Sequence, residues 1–499
     1  MARSLTADSH SSPPPSHLFT SREEIKTSPP SPIQESPTLS KKQKPKTLMS
    51  DRPFPKMLCA TASLWLIFLA FTPLHAKEFE LIVGKEKQQK MRFGMDYERL
   101  WYWSNGLDAE ERALLAKWSV VDTEIDYIRV AINAGYELKE GQLNPKAYTK
   151  KIIPMMKVMQ TANPNIKFFA SPRPLDEAEK KTSWQPYPRW ITGDTEKKGK
   201  FDFKWEKCAK YLLQYLQLMK KHGFKISFLD ITNEWQGSSG KNGRLTATDA
   251  QKITEYLKTK LPRDEMPLIV APSSWNYQQG ASWLRSLKSD RTRKAINIAS
   301  SHNTNRTGTA SNFAQTARQV LGKEVEVWNT ELHGWKSTSK ENEVTSFYYM
   351  LEIIRAGFSG INGWLALGTK NQGHSYFLSK SGKAVPNVKY YLFKKLSTTS
   401  NYGHALNILE EPSQLSHTAA LIKGNLMTVW VINQNNTEVP IKITPKGRTL
   451  KNQTVTQTRW TNPKDVKGFE TKIPLTSNRN LSSTIPPKSV CCFELTLRP

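Results

Sequence analysis

The chain has 499 residues, 38% of them apolar, and a formal net charge of +28, which excludes a wholly disordered chain and leaves room for one long barrel-type domain plus a smaller one. Four cysteines, Cys59, Cys208, Cys491 and Cys492, show neither metal-ligand spacing nor a disulfide framework. Adjacent Cys491 and Cys492 would point to opposite sides of a strand and so would not pair with each other.

Residues 1–48 are rich in Ser, Pro, Thr and Lys and carry no apolar period, so they are expected to be disordered. We expect translation to start at Met49, with residues 1–48 a mis-assigned extension. Residues 49–76 read as a signal peptide: the basic stretch MSDRPFPK, then MLCATASLWLIFLAFTPLHA ending at Ala76. The apolar part, Leu58 to Phe71, is short for a membrane span. The alternative is an uncleaved anchor with a disordered cytoplasmic tail. A cleaved signal implies a secreted or periplasmic protein with no stable membrane insertion afterwards. Removing it leaves a charge of about +24, spread over scattered lysines. That charge implies attraction to polyanions. An exported protein rarely meets nucleic acid, and no nucleic-acid module is present. An acidic or sulfated glycan is the better candidate, and a basic surface with no specific partner is the plain alternative.

From residue 91 onward, strand-like runs alternate with helical ones. Eight apolar runs fit strands: 92–96, 127–132, 166–171, 226–232, 267–273, 296–302, 325–331 and 361–367. Continuous apolar runs suit parallel strands buried on both faces. Apolar spacings of three and four predict helices over 109–121, 148–161, 203–223, 247–260, 309–321 and 342–356. Gly223 is expected to end the third of these, Thr248 to start the fourth, and Cys208 to be buried inside the third. Together they predict an α/β fold, a (β/α)8 TIM barrel over 91–399. The rival, an open doubly wound sheet, lacks a Gly-rich loop after its first strand. Residues 400–499 hold only short strands between Gly, Asn and Pro, which predicts an all-β sandwich. Residues 77–90, with FELIVGKE at 79–86, have the same texture and are expected to supply a strand to it.

Catalytic groups of such barrels sit at the C-terminal ends of strands. FLDITNEWQG at 228–237 places Glu234 just past the fourth run, and VEVWNTE at 325–331 places Glu331 at the end of the seventh. Those strands face each other, so the carboxylates are expected roughly 5 Å apart, the spacing for retaining cleavage of a glycosidic bond. Arg129 on the second run is expected to hold one carboxylate ionised. Asn233 is placed to reach a sugar hydroxyl. His302 and Trp364 end the sixth and eighth runs, Asp96, Glu98 and Arg99 follow the first, and Trp101 and Trp103 supply a stacking wall. Trp184, Trp190, Trp235, Trp275 and Trp335 lie in loops after strands. No HExxH, Cys cluster, dense Asp/His group or GxSxG elbow occurs, so neither metal nor cofactor is expected.

The pattern resembles glycoside hydrolase family 30. The similarity rests on TNE at 232–234, NTE at 329–331, RFGMDYERLW at 92–101, FFASPRP at 168–174 and SSH at 300–302. It covers most of residues 79–498. It implies a barrel whose side β-sandwich is completed by an N-terminal strand, with Glu234 as general acid/base and Glu331 as nucleophile. Arg129, Asn233, His302 and Trp364 would match active-site or subsite positions, and Trp101 and Trp235 would contact substrate. Arg173 stands where the family shows Trp, and Trp235 where it shows Pro; both departures are expected to border the sugar groove. The family's activities span xylans, β-1,6-linked glucans and galactans, glucosylceramide and other β-glycosides. The implied function is a secreted retaining β-glycoside hydrolase working by double displacement without a cofactor. A non-catalytic carbohydrate-binding protein on the same fold is the alternative.

Overall fold

Strand β1 (Phe79–Lys90) precedes a closed barrel of eight parallel strands. These are β2 (Arg92–Asp96), β3 (Tyr127–Asn133), β4 (Lys167–Arg173), β5 (Ile226–Asp230), β6 (Leu268–Ser274), β7 (Ile298–Ser301), β8 (Glu326–Leu332) and β9 (Gly360–Gly363). They pair in sequence order, and β9 closes on β2 through Arg92 opposite Gly360. This computed structural model describes residues 79–98, 107–173, 186–193, 202–236, 244–333, 344–369, 375–461, 465–475 and 480–499. The expectations for 1–48, for the signal at 49–76, and for Arg99, Trp101, Trp103, Trp184 and Trp335 fall outside these residues.

The barrel interior changes character along its strands. Tyr127, Phe169, Phe228, Val270, Ile298 and Trp328 form a buried cluster near the strand N-termini. The rings of Tyr127 and Trp328 stack with centroids 4.9 Å apart, and Phe228 meets Trp328 edge-on at 4.9 Å. Gly94 and Gly360 complete this level: a Cβ on either would lie 2.2 Å from the Tyr127 or Trp328 ring. Two positions further along each strand the residue faces inward again. There the side chains are Asp96, Arg129, Ser171, Asp230, Pro272, Ser300, Thr330 and Asn362, all polar but the proline. An aromatic plug therefore supports a polar layer at the catalytic end.

The helices wrap the outside as their spacing demands. Trp205–Lys221 buries Cys208, Leu212, Tyr215 and Met219 along one face, and Gly223 (φ +85°) follows its end. Helix Ala247–Lys260 has the expected bounds, but its cap lies elsewhere. Thr246, not Thr248, is its cap, because Thr246 and Asp249 form a reciprocal capping box. The run at 109–121 is an α-helix to Ala116 continued by a π-turn, and that at 148–161 divides between Lys146–Thr149 and Ile152–Ala162. The eighth run also divides. Its barrel part stops at Gly363, and Leu367 opens β10 (Leu367–Thr369) of a small sheet with β11 (Phe377–Lys380) and β12 (Lys383–Pro386).

The remaining strands are β13 (His404–Glu410), β14 (His417–Lys423), β15 (Leu426–Asn433), β16 (Val439–Pro445), β17 (Thr454–Trp460), β18 (Phe469–Pro474), β19 (Leu481–Ile485) and β20 (Ser489–Thr496). They form a sandwich-like sheet in the order β18-β17-β20-β15-β14-β13-β1-β16-β19. Strand β1 lies antiparallel to β13 but parallel to β16, so the sheet is not purely antiparallel. On β20, Cys491 packs into the sheet's own core and Cys492 into the barrel-side core, and both thiols are free. No helix among the described residues is long and apolar enough to cross a membrane.

Candidate active site

Strand β5 ends in a turn that aims Glu234. Asp230 Oδ1 accepts hydrogen bonds from the Thr232 and Asn233 main-chain N–H groups at 2.8 and 3.1 Å. The chain then runs through two left-handed residues, Asn233 (φ +34°) and Glu234 (φ +66°), and the Glu234 N–H donates to the Ser273 carbonyl at 2.8 Å. Such backbone costs on the order of 1–3 kcal/mol per residue and persists only where its surroundings impose it. Across the mouth, the register of β8 with β9 is irregular between Asn329 and Leu332, beside Glu331. One carboxylate oxygen of Glu234 and one of Glu331 lie within 4.8 Å of each other.

The two carboxyls have opposite surroundings. Arg129 is fully buried and donates to Glu331 Oε1, to Asp96 Oδ2 at 2.8 Å, to Ser171 Oγ at 2.6 Å and to Asn233 Oδ1 at 2.9 Å. His333 Nε2 bonds the other Glu331 oxygen at 2.9 Å. Burial alone would raise the Glu331 carboxyl, but Arg129, with His302 and His333, holds it well below the ordinary carboxylate range. Glu234 has no guanidinium partner among these contacts. Its Oε1 meets His302 Nδ1 at 2.7 Å and accepts from Thr304 Oγ1 at 3.3 Å. Burial raises its carboxyl, and the His302 bond offsets that rise only in part. Burial would lower His302, but the two glutamates on either side of it raise it instead.

Behind Glu331 the buried charge continues. Asp96 is pushed up to about 7, by burial first and by Glu98 second, against the pull of Arg129. Arg173 donates to Glu98 Oε1 at 2.6 Å, and the Trp364 indole N–H approaches the same oxygen at 3.4 Å. The Trp364 ring stacks on His333 at 4.3 Å. Trp364 is half-buried and stands at the mouth with His333.

The structure brings Arg129, Asn233, Glu234, His302, Glu331 and Trp364 into one constellation. Trp235 does not join it. Its indole is fully buried against Phe203 at 5.3 Å, so it offers no surface to a sugar. Arg173 is also fully buried, in the pair with Glu98, and does not border a groove. Asn233 spends its amide internally, accepting from Arg129 and donating to the Pro172 carbonyl. His333 was not anticipated. It lies two residues past Glu331, one strand period on, just beyond the end of β8 at Leu332.

The expectation of no dense Asp/His group also needs correction. Glu234, His302, Glu331 and His333 bring potential ligand atoms within 4.8 Å of one another, as do Asp96, Glu98 and Glu331. A metal ion at either place would stand beside the Arg129 guanidinium, which already supplies the positive charge through Glu331 and Asp96.

The fold and the site together define a class: a (β/α)8 barrel with a β side domain and a histidine-flanked glutamate pair at its mouth. No family model matches the sequence, and no curated protein matches it. Solved structures do match in fold. The catalytic domain of the family 30 xylanase C from Talaromyces cellulolyticus aligns with a TM-score of 0.65 at 14% identity, over 84% of this chain and 100% of that one. A family 30 endoxylanase from Clostridium papyrosolvens C71 gives 0.62 at 15%, over 84% and 100%. A family 51 arabinofuranosidase from Xanthomonas axonopodis pv. citri gives 0.57 at 11%, over 84% and 100%. The chain therefore has the fold of the family 30 glycoside hydrolases, barrel and side domain together.

Proposed function

We propose that this chain is a retaining β-glycoside hydrolase. The observation that carries the reading is the pair of carboxyls within 4.8 Å, one held ionised and one biased toward its protonated form. In the first step Glu331 attacks the anomeric carbon as the bond to the leaving oxygen breaks, and Glu234 gives that oxygen its proton. In the second step water attacks the same carbon, its proton passes to Glu234, and the Glu331 carboxylate is released. Arg129 and His333 orient Glu331, and His302 orients Glu234. The Trp364–His333 stack forms a wall on which a sugar face can rest.

Xylan heads the list of substrates to try, because two of the structural neighbours are xylanases, and arabinofuranosides follow from the third. Acidic and sulfated glycans belong in the same panel because of the charge of about +24 left after residue 76. The test is reducing-end release across the panel, with product lengths by chromatography, for wild type and Glu331→Gln. A glycosyl-enzyme on Glu331, trapped with a slow fluorinated substrate and seen by mass spectrometry, is the expected intermediate. Glycan binding by wild type with no product on any substrate would replace this reading with the carbohydrate-binding one. The reading includes export, which rests on residues 49–76; a mature N-terminus at Lys77 is expected from N-terminal sequencing.

A further inference from the structure

A second feature lies at the opposite end of the barrel. A pocket of about 360 Å3 opens between the lower rim and the side sheet, lined in part by Lys87, Gln89, Arg318, Lys323, Gly357 and Asn407. Lys87 and Gln89 come from β1 and Asn407 from β13. Arg318 lies in the helix Ala310–Leu321, and Lys323 and Gly357 sit in the turns that lead into β8 and β9. Those turns feed the N-terminal ends of the strands, so the pocket is remote from Glu234 and Glu331.

Its cations gather over the C-terminal end of the helix Tyr348–Arg355. Lys87 Nζ donates to the carbonyls of Ile354 and Arg355, and Arg318 Nη2 to that of Gly357. Gly357 (φ +87°) permits this approach, since a Cβ there would lie 3.0 Å from the guanidinium. A helix C-terminus supplies only about half a negative charge. Lys87, Arg318 and Lys323 bring three positive ones. No carboxylate among the described residues lines the pocket, and nearby Arg355 is already paired with Glu411. Burial first, and then Arg318 and Arg355 beside it, push Lys87 down to about 8. Asn407 adds a neutral amide at the rim, while the Gln89 amide donates to the Glu324 carbonyl at 2.8 Å.

We propose that this pocket binds an oxyanion, a single sulfate, phosphate or carboxylate group, either free or carried on a glycan chain. The proposal stands apart from the hydrolase reading, since none of its residues touches the glutamate pair. The experiment is isothermal titration of the full chain at constant ionic strength. The titrants are sodium sulfate, sodium phosphate, a sulfated oligosaccharide and a uronate oligosaccharide, with chloride as control.

Saturable binding is expected in wild type and, unchanged, in Glu331→Gln. Lys323→Gln and Arg318→Gln are each expected to weaken it roughly tenfold or more. Lys323 is exposed and makes no helix-capping bond, so its variant separates anion binding from loss of the cap. Equal affinity for inorganic sulfate and the sulfated chain assigns the site to the free anion, and tighter binding of the chain assigns it to the glycan. Two results overturn the proposal: no saturable binding by wild type, or binding that survives in the Lys323→Gln/Arg318→Gln double variant. In either case Lys87 and Arg318 serve only to cap the helix.

Discussion

The lower and upper levels of the barrel interior are built from the same strands, two residues apart. Tyr127 and Arg129 share β3, Phe169 and Ser171 share β4, Phe228 and Asp230 share β5, and Trp328 and Thr330 share β8. The lower level has stacked rings and two glycines that give them space. The upper level has one guanidinium serving Asp96, Ser171, Asn233 and Glu331. Strand parity decides which residues face inward, and height along the strand decides what they must do. Aromatic burial below supplies folding free energy. The buried ions above contribute little net stability, because their desolvation offsets their attraction. What they supply is two carboxyls with different proton affinities.

The division of labour can be broken most decisively at Glu331. Glu331→Gln is expected to lower kcat by roughly 10^4-fold or more while leaving glycan binding by the folded protein largely intact. A turnover rate close to wild type would end the nucleophile assignment. Trp328→Ala should do the reverse. Emptying the plug should cost about 3–5 kcal/mol of unfolding free energy in a denaturant titration, with kcat largely kept in the folded fraction. If Trp328→Ala instead left stability intact and removed activity, the two levels would not be separable.

A finer probe is His333→Ala. Glu331 keeps Arg129 but loses one charge-assisted bond, so its carboxyl rises and the acid limb of kcat/KM moves to higher pH. The optimum rate should fall about ten- to a hundredfold. In wild type, Glu331 stays ionised as pH falls and Glu234 stays protonated above the ordinary carboxylate range, so the activity profile should be a broad bell. An acid limb unmoved by the His333 change would remove that residue from the positioning network.

The smallest expected effect is at Asp96. Its folded pKa, about 7, is above its unfolded value, so its contribution to stability is complete below about 4 and lost as pH rises through about 7. Asp96→Asn should flatten that fall, read from unfolding midpoints between pH 4 and 7. A slope unchanged by the substitution would show that Asp96 ionises as freely in the fold as outside it.

Much of this was legible in the sequence for reasons that can be stated. The eight strand runs showed because parallel strands are apolar on both faces, and Glu234, Glu331 and Arg129 showed because strand ends carry barrel chemistry. Trp235 was misread because an aromatic after a strand has the same sequence signature in a groove and in a core. Arg173 was misread because its partner Glu98 lies 75 positions away and only the fold reveals the pair. The Thr246 cap was missed although Thr246 and Asp249 have capping-box spacing, and His333 was missed because the seventh run was ended at Glu331. Left-handed backbone suits Asn233, but at Glu234 it runs against residue preference, which is typical of a position held by function.

Strand β1 has a consequence for the order of synthesis. Its neighbours in the sheet, β13 and β16, leave the ribosome more than three hundred residues after it does. At about 5–20 residues per second that is a delay on the order of 15–60 s. For that time the first strand to emerge has backbone donors and acceptors with no sheet to join, while the barrel closes behind it. Both edges of β1 therefore stay unpaired until β13 and β16 have been made. Whatever shields residues 79–90 in the interval, whether water or a chaperone, helps to set the yield of folded protein.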